Sequence, residues 1–107
     1  MIRTILFARK VTVMIKHVYL YRLRPEIDSN EVKKRLLTLR EMVPQIADME
    51  VGLNFKPAEN AYDLIEFCTF KSREDFVAFG ANEYHEQIRQ YMKNVQLDGV
   101  KIDYEME

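Results

Sequence analysis

The sequence predicts an α+β fold in which four antiparallel strands form one sheet and the helices pack on a single face, in the chain order βαββαβ. Three observations carry this. Four segments alternate apolar and polar residues with the period of a strand, and two intervening stretches repeat apolar residues with the period of a helix. Each change of period falls at a proline, a glycine or a capping residue.

The first strand begins at Met14, with Ile15, His17, Tyr19, Tyr21 and Leu23 on one face and Lys16, Val18, Leu20 and Arg22 on the other. Pro25 ends it. Asp28 with Glu31 three residues on is a capping box for a helix whose Val32, Leu36, Leu39 and Val43 share a face, and Pro44 stops that helix. Met49, Val51, Leu53 and Phe55 then alternate with polar residues as a strand with one core face, in which Gly52 is the expected site of a bulge. The loop from Lys56 to Asn60 leads to a third strand, Ala61 to Phe70, apolar on both sides. Ser72 with Asp75 caps a short helix bearing Phe76 and Phe79, which Gly80 to Asn82 interrupts. A longer run follows with Tyr84, Ile88, Tyr91 and Val95 on one face and His85 and Met92 beside them. After Asp98 and Gly99, Val100, Ile102 and Tyr104 mark the last strand.

This order is the split βαβ arrangement of ferredoxin-like domains. Such a sheet has one open face, yet its first and third strands are apolar on both sides. A second copy of the chain is the economical cover, so a homodimer is expected.

Composition sets further bounds. The 107 residues are 48% apolar, with 16 Lys plus Arg against 17 Asp plus Glu, enough for one self-supporting core and too few for two domains. The net charge of −1 gives no general attraction to nucleic acid, and Lys33, Lys34 and Arg35 share their helix with Glu31 and Glu41 as a solvated face. No nucleic acid or membrane partner is expected, since no apolar run approaches the ~20 residues of a membrane helix. Six basic residues precede the first acid, Glu26, and Arg9 and Lys10 break the only early apolar run, so residues 1–13 read as an extension to a domain at 14–107 rather than a secretory signal. A chain starting at Met14 is expected to fold. The lone Cys68 fits a reducing, cytoplasmic setting and reads as a small buried hydrophobe. The chain has neither the short ligand spacings of a zinc site nor a phosphate-cradling glycine loop, so no metal and no cofactor are expected.

Four segments carry a family resemblance: Met14-Ile15-Lys16-His17-Val18, Glu50-Val51-Gly52, Ala61-Tyr62-Asp63-Leu64 and Ile102-Asp103-Tyr104. Together, in order and on the expected elements, they resemble the stress-responsive dimeric α/β barrel family over Met14 to Tyr104. The resemblance implies a ferredoxin-like protomer, a two-fold mate on its sheet and a pocket between sheet and helices. It also brings in a cofactor-independent polyketide cyclase in which a pocket His and a Tyr act as an acid/base pair. His17 matches the family's first-strand His, and His85 matches the last His of a His-Pro-x-His segment. Asn82 and Glu83 stand where that segment has its first His and its Pro, and Phe79 stands where the cyclase has its working Tyr.

His17 and His85, the only two histidines, are therefore the candidate catalytic pair, since an imidazole can take and return a proton near neutrality. Tyr19, Tyr21, Phe79, Asn82 and Tyr84 are the candidate ligand-binding residues. Two functions are expected from this set. The first is a stress-type module binding a hydrophobic small molecule. The second is a cofactor-free cyclase, lyase or isomerase acting on an enolisable carbonyl compound.

Overall fold

The computed structural model describes residues 13–107, and the extension assigned to residues 1–13 lies, apart from Val13, outside them. The described chain runs β1 (Met14–Leu23), α1 (Ser29–Met42), β2 (Asp48–Leu53), β3 (Leu64–Phe70), α2 (Arg73–Ala81), α3 (Glu83–Val95) and β4 (Gln96–Met106). The strands form one sheet in the order β2-β3-β1-β4, every neighbouring pair antiparallel. This is the ferredoxin-like arrangement, with the second helical region divided into α2 and α3.

The period-2 pattern of β1 decides which side chains enter the core. Ile15, His17, Tyr21 and Leu23 are buried under the helices, and β3 adds Leu64, Glu66, Cys68 and Phe70 to the same face. Val32, Leu36 and Leu39 of α1 close the core over β2 and β3. Asp28 caps α1 by accepting the Asn30 N–H at 2.9 Å, and Ser72 caps α2 by accepting that of Asp75 at 3.0 Å.

The other face of the sheet is different. Cross-strand register places Val18 beside Phe67 and Ile102, and Leu20 beside Ile65 and Val100, in one apolar field. Val100 and Ile102 are 48% and 59% exposed in the single chain.

Three boundaries and one expected bulge depart from the sequence reading. Phe55, expected on the core face of β2, is 94% exposed, because the strand ends at Leu53. There Asn54 turns the chain by exchanging side-chain hydrogen bonds with the backbone of Lys56, both 3.1 Å. The bulge expected at Gly52 is absent, and the β2–β3 register runs unbroken through Gly52 and Ile65. A Cβ there would sit 3.1 Å from Ile65 Cγ2, so this glycine answers a packing need rather than an irregularity. The register shift falls instead between Arg22 and Leu23, where β1 meets β4. β3 begins at Leu64 rather than Ala61, the Asp63 carboxylate being engaged by the Leu23 N–H at 2.7 Å.

The last strand starts at Gln96, directly on the end of α3, so Asp98 and Gly99 form ladder pairs with Arg22 and Tyr21 in place of the expected turn. Gly99 is required there by the ring of Tyr19. An added Cβ would run into that ring and lie 3.0 Å from the Leu20 carbonyl oxygen. Gly99→Ala is therefore expected to destabilise the protein by about 1–3 kcal/mol through overpacking, read as a lowered midpoint in thermal melts.

Candidate functional site

The alternation of β1 aims His17, Tyr19 and Tyr21 at the gap between the sheet and the α2–α3 pair, where they line a cavity of about 450 Å³. Phe76 and Phe79 of α2 and His85 of α3 form the opposite wall. Sheet register then assembles the polar centre. Asp103 of β4 pairs with His17, Cys68 of β3 flanks His17 on the other side, and Glu66 pairs with Tyr19.

His17 is 7% exposed. Its Nδ1 is in hydrogen-bond contact with Asp103 Oδ1, and Nε2 faces Glu66 Oε2 at 4.0 Å. A carboxylate that accepts the Nδ1 proton fixes the tautomer and leaves the Nε2 lone pair free to take a proton. The ring is held edge-on to Tyr19 and Phe79, at centroid distances of 6.1 and 5.7 Å.

Glu66 is only 2% exposed, and burial pushes its carboxyl above the usual carboxylate range against the opposing pull of His17, Tyr21 and Cys68. The Tyr21 hydroxyl donates to Oε1 at 3.0 Å, and the Cys68 thiol donates to Oε2 at 3.4 Å. Burial and the adjacent Glu66 raise the pKa of both donors, so they stay protonated. Cys68 is thus a buried donor and not a nucleophile.

His85 is set differently. Asn82 caps α3 by accepting the His85 N–H at 3.0 Å, and the ring stacks on Phe79 with centroids 3.8 Å apart. The Phe79 carbonyl accepts from Nδ1 at 2.9 Å, so Nε2 carries the lone pair. Burial lowers the pKa of this imidazole to about 4, Arg89 and His17 adding to the effect. His85 is neutral at pH 7 and a weak base. Its chemistry in the cavity is to accept a hydrogen bond.

The same shift makes a stability prediction. An unfolded imidazole titrates near 6.5 and the folded one near 4, so between these values the unfolded chain binds the extra proton. Stability is full above pH 6.5 and falls as pH drops through that window, by on the order of 1–2 kcal/mol after allowing for solvent screening of the half-buried ring. Thermal melts of the wild type and His85→Gln at pH 7 and pH 4.5 isolate the effect, and the variant is expected to lose less stability on acidification.

Of the residues expected from the sequence, His17, His85, Tyr19, Tyr21 and Phe79 meet on this cavity. Asn82 and Tyr84 do not line it. Asn82 spends its side chain on the α3 cap, and the Tyr84 hydroxyl lies 2.5 Å from Thr38 Oγ1 on α1, at the helix–helix contact. Glu66 was not singled out in the sequence, and Asp103 stood only in the Ile102-Asp103-Tyr104 segment with no role attached. Lys93 of α3 and Lys101 of β4 add positive charge to the cavity wall. Among the described residues no three His, Cys, Asp or Glu side chains are grouped to hold a metal ion, and no helix is long and apolar enough to cross a membrane.

The family model described as stress responsive A/B barrel domain matches residues 15–106. A dimeric protein of ferredoxin-like fold from Bacteroides fragilis is similar in structure, with 23% identity, a TM-score of 0.74, and 87% of this chain and 96% of that one covered. The hydroxynitrile lyase from Passiflora edulis is similar at 14% identity and a TM-score of 0.78, over 88% of this chain and 94% of that one. A Dabb family protein with a ferredoxin-like fold from Mesorhizobium loti is similar at 18% identity and a TM-score of 0.68, over 86% and 95% of the two chains. A comparison with curated proteins finds no match.

Proposed function

Because the chain belongs to the stress responsive A/B barrel domain family, we propose that it is a homodimer whose sheet–helix cavity binds a flat, hydrophobic carbonyl compound and moves a proton on it without a cofactor. The observation that carries this reading is the line Asp103–His17–Glu66, buried at His17 and Glu66, beside a cavity that the rings of Tyr19, Tyr21, Phe76 and Phe79 also line. Asp103 orients the imidazole, and His17 Nε2 is the base that receives a proton from carbon. The rings of Tyr19, Phe76 and Phe79 give a planar ligand its apolar contact, and His85 accepts a hydrogen bond from a ligand hydroxyl. Phe79 has no hydroxyl, so the acid that completes the reaction is not at that position. The likeness to the Passiflora edulis hydroxynitrile lyase supports the view that this scaffold accommodates lyase chemistry.

The dimer follows from the apolar field of Val18, Leu20, Ile65, Phe67, Val100 and Ile102, which no element of the single chain covers among the described residues. The dimeric relative from Bacteroides fragilis supports it.

The test is hydrogen–deuterium exchange at carbon. With 2-indanone, a flat ketone bearing acidic α-hydrogens, proton NMR in deuterium oxide is expected to show loss of the α-hydrogen signal faster with the protein than with buffer alone. Saturable binding of 2-indanone without faster exchange would make the protein a binding module only. Neither binding nor exchange would remove this reading of the cavity.

A further inference from the structure

We infer that Glu66 is a second proton-transfer group of this cavity, an acid working as a couple with His17 Nε2 on a carbonyl compound that carries an α-hydrogen; the inference rests on the proton-transfer reading above.

The hydrogen bonds around Glu66 are asymmetric. Tyr21 donates its hydroxyl proton to Oε1 at 3.0 Å, which makes Oε1 the accepting, carbonyl-type oxygen of a neutral acid. The carboxyl proton then belongs on Oε2, where the weak Cys68 thiol contact at 3.4 Å leaves room for it. Oε2 is also the oxygen that faces His17, 4.0 Å from Nε2. That separation is too long for a direct hydrogen bond, and both residues stand on the cavity wall, so a third atom can enter between them. Burial favours the neutral acid, since charging it would place an anion in a low-dielectric wall.

A carbonyl group fits this spacing. Its oxygen and its α-carbon lie roughly 2.4 Å apart, given bonds of about 1.2 and 1.5 Å. With the α-hydrogen at His17 Nε2 and the carbonyl oxygen at Glu66 Oε2, the C–H bond breaks and its electron pair becomes the C=C bond of an enol. The proton goes to Nε2. The carbonyl π pair takes the Glu66 proton to form the enol O–H, leaving imidazolium and carboxylate facing one another. The Nε2 proton exchanges with solvent, and reversal of the carbon step then delivers that solvent hydrogen to carbon while the enol proton returns to Glu66 Oε2, which restores imidazole and neutral acid. No oxidant, reductant or cofactor enters the balance.

The experiment compares wild type, Glu66→Gln and Tyr21→Phe in the 2-indanone exchange assay over a range of pH. Glu66→Gln keeps shape and polarity but carries no transferable proton, so exchange is expected to fall ~100-fold or more while 2-indanone affinity changes less than about threefold. The alkaline fall in the wild-type rate, where Glu66 ionises, should disappear in this variant. His85, Arg89 and Lys93 of α3, Lys101 of β4 and Asp103 behind His17 are present in both proteins, so a limb lost in Glu66→Gln belongs to Glu66. Tyr21→Phe removes a bond that lowers the Glu66 pKa, so its alkaline limb should move to higher pH, and this result decides the matter if Glu66→Gln does not fold. An exchanging wild type whose Glu66→Gln variant stays within about threefold overturns the role of Glu66 and leaves the His17 reading standing. An unshifted limb in Tyr21→Phe likewise overturns it. A wild type that does not exchange at all overturns both.

Discussion

Alanine at His17 is expected to lower the exchange rate on an enolisable ketone ~100 to 10,000-fold, with ligand affinity changed far less. The size of the effect follows from position. His17 is the only imidazole on the cavity whose Nδ1 is held by a carboxylate, and its Nε2 faces the open space in front of Glu66. His85 lacks such a partner and is held weakly basic by burial, so His85→Ala should affect binding more than turnover. Asp103→Asn separates orientation from charge. Its amide can hold the wrong imidazole tautomer, so a loss in rate with retained affinity would assign the orienting role to Asp103. Equal rates for wild type and His17→Ala would sink the assignment of the base.

The second large effect is expected at the open face of the sheet. Leu20 lies between Ile65 and Val100, at the middle of the apolar field. Leu20→Asp places a carboxylate there, and burying it unpaired against a second copy would cost several kcal/mol. Light scattering should report a monomer, and the thermal midpoint should fall and depend on protein concentration differently from the wild type. Asp at Lys16, on the rim of the same face, serves as the control and should leave the dimer in place. A Leu20→Asp protein that remains dimeric at micromolar concentration would remove this face as the interface.

Much of this architecture was legible because β1, β3 and α1 obey one period each, so the face of every side chain follows from its position. β4 and β2 were harder for a specific reason. Asp98 and Gly99 carry turn chemistry, but pairing with Arg22 and Tyr21 along ten ladder positions of β1 overrides it and pulls the strand back to Gln96. Phe55 continues the alternation of β2, yet the local hydrogen bonds of Asn54 take the backbone out of the ladder first.

The site divides in the same way. His17 could be placed because it is in phase with Ile15 and Tyr21. Glu66 is in phase with Leu64, Cys68 and Phe70, and a carboxylate at that step of a core face was the available signal, obscured because alternation usually turns acids outward. Asp103 stood in the Ile102-Asp103-Tyr104 segment, but nothing local tied it to His17. It is 86 residues from His17, and only strand pairing brings the two together. Tyr84 was assigned to the ligand as one of the aromatics able to line an apolar pocket, but its hydroxyl lies against Thr38 of α1. His85, Ile88 and Met92 follow the stripe that looks into the cavity.

The way α3 is joined to its neighbours governs how the cavity can breathe. At its C-terminal end the helix passes straight into β4, and Arg24 clamps the junction by donating its backbone N–H to the Val95 carbonyl at 2.9 Å and its Nε–H to that of Asn94 at 3.2 Å. At its N-terminal end the only non-helical residue between α2 and α3 is Asn82, with an extended backbone of φ −70° and ψ 132°. One end is therefore clamped to the residue that follows β1, and the other is a single-residue joint at which His85 and Arg89 of α3 hold the Phe79 and Gly80 carbonyls of α2. α2 buries only Phe79 whereas α3 buries Ile88, Met92 and Val95, so α2 is the less anchored of the two helices that line the cavity. Amide hydrogen exchange in α2 should accordingly outpace that in α3 in the empty protein and slow when the cavity is filled, so that ligand entry is timed by the shorter helix and not by the opening of the sheet.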